Sequence, residues 1–284
     1  MKQALARSLS GRFARRPIFQ VGASRSGTIV LYKALGRHPA ILAMPGENPL
    51  VDPLAGLAAS FESGDEAWYF RESVRLDPPR LYARLRDLIF ETTGGPHMGF
   101  RTLAKALARD PLGFAGKSRW CVKCFPLEAS ARALCALYPE ARFVYIVRNG
   151  VDVVQSRTKF PVFSGQPFEQ HCEFWVQAAR KFDYLRQWDR CIEVRQEQLL
   201  SEPEAVFARI CRHLGVDDHP APAEYVRTTL VHSRGDVSTQ VGVDVRKSLT
   251  ERAPSHEGWT ADQRETFRRI CGPDMERLGY AMPF

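Results

Sequence analysis

Residues 18–39 read IFQVGASRSGTIVLYKALGRHP, and the changes of character along this stretch decide the fold. Ile18 to Val21 is a short, mostly apolar run of the kind that forms a buried strand. Gly22 to Thr28 follow as a loop of small residues interrupted by a single arginine, Arg25. From Ile29 onward the apolar positions Ile29, Val30, Leu31, Ala34 and Leu35 recur at helical spacing, and Gly36 with Pro39 predicts the end of that helix. A strand, a glycine-containing turn and a helix in this order turn backbone N–H groups and a helix N-terminus toward an anion.

The spacing Gly22-x-x-x-x-Gly27 is that of a nucleoside-triphosphate loop, yet Thr28-Ile29 stand where such loops carry Lys-Ser/Thr. That lysine grips the β- and γ-phosphates, and the hydroxyl after it binds Mg²⁺. Without it the loop still holds a phosphate-type group through Ser26, Gly27 and Thr28, with Arg25 as the cation. Such a loop suits a nucleotide carrying one 5′ phosphate-type group and no metal. Taken alone it also fits an ordinary βα turn, so the rest of the chain must decide.

At 284 residues the chain is long enough for one large α/β core with a variable cap. A formal charge of +8 and a pI near 9.3 imply an anionic partner. Nucleic acid is not expected, because no basic run is interleaved with aromatics and no finger or helix-turn-helix spacing is present. The seven cysteines are dispersed, with no secretory signal before them, which points to a reduced cytoplasmic setting. Cys121 and Cys124 form a CxxC without a second pair, and on a strand they would face opposite sides of the sheet. Residues 1–16 are a basic lead-in with at most weak peripheral membrane contact, and no run approaches the roughly 20 apolar residues of a spanning helix.

Along the chain, Ile41 to Ala43 predicts a second strand, followed by a fixed loop, Met44 to Pro49, that carries Glu47 close in sequence to the phosphate loop. Residues 50–118 lack a strand pattern and read as a helical cap, with helices over Leu81–Phe90 and Thr102–Ala108 separated at Gly94–Pro96. Trp68, Tyr69 and Phe70 are placed there to cap the cleft or to pack. Trp120 to Cys124 reads as a buried strand, in which Lys123 is costly unless an anion pairs with it. A helix, Leu127 to Tyr138, follows. Arg142 to Val147 is an apolar strand ending in Arg148, where a metal-dependent NTPase would place an aspartate. Ser156 lies eight residues on, in a helix expected over Asp152–Lys159, so the two can clamp a second phosphate. The pattern then gives a helix over Phe168–Trp188, a last strand at Ile192–Arg195, a capping-box helix start at Ser201 and another at Thr260. Residues 233–255 read as a long irregular loop, a lid or a disordered segment, containing Arg246 and Lys247.

In this order the motifs resemble the PAPS-dependent sulfotransferases, over roughly residues 17–280. Val21 to Thr28 with His38-Pro39 is similar to the family's 5′-phosphosulfate loop. Phe143 through Ser156 is similar to its 3′-phosphate motif. Weaker echoes are Lys123 in KCFP, Arg195 to Leu199 with Glu202-Pro203, and Leu278-Gly279-Tyr280. An arginine in the loop and a glutamate shortly after it bring the pattern closer to the bacterial and tyrosylprotein-type branch. Ser24, Ile29 and Gln196 depart from the family's usual proline, threonine and tyrosine.

The resemblance implies a P-loop-like three-layer α/β fold, a central mostly parallel sheet flanked by helices, over residues 17–284. It implies metal-independent transfer of a sulfuryl group from PAPS to a hydroxyl acceptor (peptide tyrosine, glycan, lipid or small alcohol), with PAP as product. By the same resemblance Glu47 is the general base, and Arg25 and Lys123 stabilise charge on the sulfuryl group and the departing phosphate. Arg25, Ser26, Gly27, Thr28, Arg148, Ser156 and Lys247 hold the nucleotide. Two alternatives stand beside it: a P-loop nucleotide kinase, and a non-catalytic adenine-nucleotide-binding module of the same fold.

Overall fold

The computed structural model of the chain describes residues 15–62, 65–73, 77–93, 116–228 and 256–284. Five strands, β1 Pro17–Gly22, β2 Ile41–Glu47, β3 Arg119–Lys123, β4 Arg142–Val147 and β5 Cys191–Arg195, form one sheet in the order β2-β3-β1-β4-β5. All four neighbouring pairs run parallel, so the sheet expected to be mostly parallel is parallel throughout. The described helices up to β4 are α1 Thr28–Leu35, α2 Val51–Glu62, α3 Asp65–Trp68 with a π-helical turn Tyr69–Ser73, α4 Pro78–Thr92 and α5 Glu128–Leu137. After β4 come α6 Gly150–Thr158, α7 Phe168–Lys181, α8 Gln196–Ser201, α9 Pro203–Leu214, α10 Ala221–Thr228 and α11 Ala261–Arg277.

Alternate strand residues divide between two cores. Phe19, Val21, Val122, Phe143, Tyr145 and Val147 enter one, closed by α2, α5, α6, α7 and α11. Ile18, Cys121, Val144, Ile146 and Val194 enter the other, closed by α1, α9 and α10. Burial on both faces is why these strands read as apolar runs without alternation. Cys121 and Cys124 fall in different cores, on opposite faces as expected. Phe19 fixes β1 in the middle of the sheet: its ring lies 6.1, 6.0 and 5.3 Å from those of Trp120, Tyr138 and Phe143.

Several elements differ from the sequence reading. Met44 to Glu47 belongs to β2, which keeps pairing with β3 through a register shift between Ala43 and Glu47. Pro45 has no N–H for the ladder, so an edge strand with an irregularity is where it is tolerated. The helix from Phe168 stops at Lys181 and gives way to a 3₁₀ turn, Asp183–Gln187. Phe182 and Leu185, three residues apart, both turn into the core, which suits a period of three. Ser201 ends α8 instead of capping α9, whose first turn begins with Pro203 and has no side-chain cap. A proline there needs no N–H partner. The capping box at Thr260 forms as expected, with Gln263.

Residues 51–62 form a helix in the stretch expected to be a helical cap, ahead of the two helices predicted there. Trp68 and Tyr69 are 66% and 55% exposed. The expected Thr102–Ala108 helix, the Gly94–Pro96 break, residues 1–14 and the lid with Arg246 and Lys247 lie outside the described residues. Arg16, at the end of the basic lead-in, is tied to Glu140 at 2.9 Å. No described helix is long and apolar enough to cross a membrane.

Candidate active site

In a parallel sheet the C-terminal strand ends and the loops after them make the natural crevice for a ligand. Here the chain brings four such ends together. Gly22 closes β1, Glu47 closes β2, Lys123 closes β3, and Arg148 follows β4 directly.

The loop after β1 is shaped by close approach and by left-handed backbone. A Cβ on Gly22 would stand 2.5 Å from Ile146 Cγ2 and 2.7 Å from the Ile146 carbonyl oxygen. Gly27 caps α1 with φ of 84°, and a Cβ there would meet Gln196 Cγ at 2.9 Å. Arg25 has φ of 69°, alone among described non-glycine residues in the left-handed region. That conformation costs about 1–3 kcal/mol in a non-glycine residue and is typically held by its surroundings at a functional site. Gly22→Ala is expected to destabilise the fold by about 1–3 kcal/mol, as overpacking does. Thermal unfolding checks this, and an unchanged Tm would show that β4 yields freely.

What holds Arg25 is the second expected anion site. Its Nε donates to Ser156 Oγ at 3.0 Å, and its guanidinium stacks on the Phe160 ring at 4.5 Å. Arg148 Nη1 donates to the Arg25 carbonyl oxygen at 2.9 Å, and its Nη2 lies 3.6 Å from Asp152 Oδ2. Trp175 Nε1 donates to the Arg148 carbonyl oxygen at 3.2 Å, and its ring packs so closely on Gly150 that a Cβ there would lie 2.9 Å away. Burial, with Arg148 close by, pulls the Arg25 guanidinium below its usual pKa. The loop and the strand-end arginine are therefore in direct contact, with positive charge concentrated between them. That cluster and the close-backbone cradle fit a ligand bearing more than one phosphate-type group.

Beside this cluster, Lys123 Nζ forms an ion pair with Glu47 Oε1. The two residues are register partners across β3 and β2, because the register shift after Ala43 sets Glu47 opposite Lys123. Lys123 is 8% exposed, while the Glu47 side chain remains 51% exposed. The anion that a buried strand-end lysine demands is thus Glu47. Asn48 makes the perch of Glu47 rigid. Its N–H donates to the Lys123 carbonyl oxygen at 3.1 Å, and its amide donates to Thr92 and Thr93 on and just after α4, both at 3.1 Å.

The chain also matches a known family. The sulfotransferase family profile covers residues 17–220, from β1 to the start of α10. The chain belongs to the sulfotransferase family. It is an enzyme that transfers a sulfuryl group, which removes the kinase alternative. No curated protein matches the chain. Among solved structures, the sulfotransferase domain of the Synechococcus PCC 7002 olefin synthase is 20% identical, with a TM-score of 0.51 over 96% of this chain and 98% of that one. A mouse sulfotransferase complexed with PAP is 16% identical, with a TM-score of 0.51 over 96% of this chain and 89% of that one. At these identities the likeness is one of fold.

Two of the weaker echoes in this sulfotransferase, Arg195 to Leu199 and Leu278 to Tyr280, meet in space. Arg195 donates to the Leu278 carbonyl oxygen at 2.6 Å and stacks on Tyr280 at 4.8 Å. Tyr280 OH donates to Glu197 Oε2 at 3.2 Å, and Glu197 Oε1 accepts the Asn149 N–H at 2.8 Å. The C-terminal Leu-Gly-Tyr is therefore a brace under the strand end that carries Arg148. Sequence reasoning missed Arg157, which is buried between the rings of Phe163 and Phe174, 4.1 and 3.6 Å from its guanidinium carbon. Its adjacency to Ser156 was the available signal. Its aromatic partners, contributed by the following loop and helix, were not legible. Lys247 lies outside the described residues.

Proposed function

We propose that this sulfotransferase uses PAPS as donor and a hydroxyl compound as acceptor, by in-line transfer between Glu47 and Lys123. The observation that carries this reading is the contact of two anion-binding loops through Arg25. One bond runs from its Nε to Ser156 and another from Arg148 to its carbonyl oxygen. One nucleotide phosphorylated at both 5′ and 3′ ends can be held by both. Ser26, Gly27 and Thr28 with Arg25 would receive its 5′ end, and Arg148 and Ser156 its 3′-phosphate, joined by Lys247 from the 233–255 segment.

In the reaction the acceptor oxygen bonds to sulfur as the bond from sulfur to the bridging oxygen breaks, and that oxygen leaves on the 5′-phosphate of PAP. Glu47, half in solvent and fixed by Asn48, takes the acceptor proton. Lys123 neutralises charge growing on the bridging oxygen, and Arg25 with the loop N–H groups meets the sulfuryl oxygens. Little covalent assistance is needed, since alignment and fixed charge account for such transfers. The acceptor is a peptide tyrosine, a glycan, a lipid or a small alcohol.

Titration with PAP and with adenosine 5′-phosphate tests the shared-nucleotide idea. PAP should bind about 10- to 100-fold tighter, the worth of one set of charge-assisted bonds to the extra phosphate. Equal affinities would overturn it. Labelled PAPS offered with a panel of tyrosine peptides, glycans and lipid hydroxyls then identifies the acceptor class by an added sulfonate mass.

A further inference from the structure

Gln20 in β1 is fully buried, and neither its Oε1 nor its Nε2 has a hydrogen-bond partner among the described residues. An amide in that condition has left water without replacing what water gave it, and this disfavours the fold. Strand register shows what stands beside it. Glu47, Lys123, Gln20, Val144 and Ile192 pair in succession across β2, β3, β1, β4 and β5, so they form one row over the sheet. Paired residues of parallel strands share a face, here the face covered by α1. Val144 and Ile192 offer no hydrogen bond, which leaves Lys123 as the polar neighbour of Gln20 in the row.

The row therefore reads carboxylate, ammonium, amide. The ammonium in the middle carries three donors, and Glu47 on one side accepts from it. When Glu47 takes a proton it becomes neutral and loosens its hold on Lys123. A nearly buried ammonium cannot be left without a partner at low cost.

We propose that Gln20 is a positioning residue whose Oε1 accepts a hydrogen bond from the Lys123 ammonium as Glu47 turns to the acceptor hydroxyl. The lysine is thereby held at the bridging oxygen instead of following the carboxylate. This rests on the sulfuryl-transfer roles assigned above to Glu47 and Lys123. The orphaned amide is then kept because a catalytic lysine needs it during turnover.

Gln20→Met, similar in length and apolar, tests this with the full chain, PAPS and the best acceptor of the panel. Its Tm should equal or exceed that of wild type, because the unpaired amide is gone. Its kcat should fall about 10- to 100-fold, the scale of a displaced catalytic group, with KM for PAPS and Kd for PAP within about twofold of wild type. A purely structural Gln20 would move Tm and leave kcat alone, and that result overturns the proposal. So does an equal loss of PAP affinity, which would place Gln20 in the nucleotide pocket. Wild type that transfers no sulfuryl group overturns the functional reading as well, so the two failures are told apart. Should the variant not fold, a crystal structure of wild type with PAP and the acceptor decides: Lys123 Nζ within 3.2 Å of Gln20 Oε1 supports the pairing, and a wider gap removes it.

Discussion

Lys123→Ala is expected to lower kcat by about 10²–10³-fold, the usual cost of removing one preorganised charge donor from a transition state. The fold should survive. Trp120, Cys121 and Val122 keep β3 in both cores, and the carboxylate left behind, Glu47, is already half in solvent. Its charge is thus not stranded in the interior, and circular dichroism and Tm should stay near wild type. PAP affinity should change far less than kcat, because the proposed interaction strengthens as charge builds on the bridging oxygen. Turnover within a few-fold of wild type would remove Lys123 from the chemistry.

Glu47→Gln separates the proton-transfer role from the structural one. The amide oxygen of the variant still accepts from Lys123, and Asn48 still fixes the segment to α4, so the ground-state geometry is kept. What is lost is the capacity to take a proton, worth about 10²–10⁴-fold in rate. PAP should bind as it does to wild type. Near-native turnover at every pH would show that another group, or water, serves as base.

Gln20→Met should cost less than either variant, since Gln20 is proposed to act through Lys123 and not on nucleotide or acceptor. If it matches Lys123→Ala in direction but not in size, the row of Glu47, Lys123 and Gln20 acts as one unit, and effects within it will not add.

Much of the fold could be read from the chain because buried parallel strands have a simple signature. RFVYIV alone gives the bounds of β4, Arg142–Val147. α1 began within one residue of its first apolar position, since Gly27 and Gly36 punctuate it. The errors have a common physical source. β2 runs past the expected Ala43: proline suggests a loop, whereas an edge strand can skip a bond and resume pairing. α7 ends short of the expected Trp188: a turn of period three and a helix of period 3.6 differ little over five residues of sequence. Ser201 resembled a cap because local spacing cannot show that the preceding residues are themselves helical.

For the site, residue types and order sufficed to nominate Arg25, Glu47, Lys123, Arg148 and Ser156, since each lies near or after the C-terminal end of a predicted strand or in the next helix. The sequence by itself determined a parallel α/β sheet with an anion loop lacking the triphosphate lysine, because periodicity and glycine spacing are local properties. Only the tertiary structure decided that Lys123 answers to Glu47, that Arg25 is held by Ser156 and Arg148, and that Gln20 lies unpaired beside the lysine. Those relations depend on strand order and register, which bring together residues up to 131 positions apart and leave no mark on the spacing of either partner.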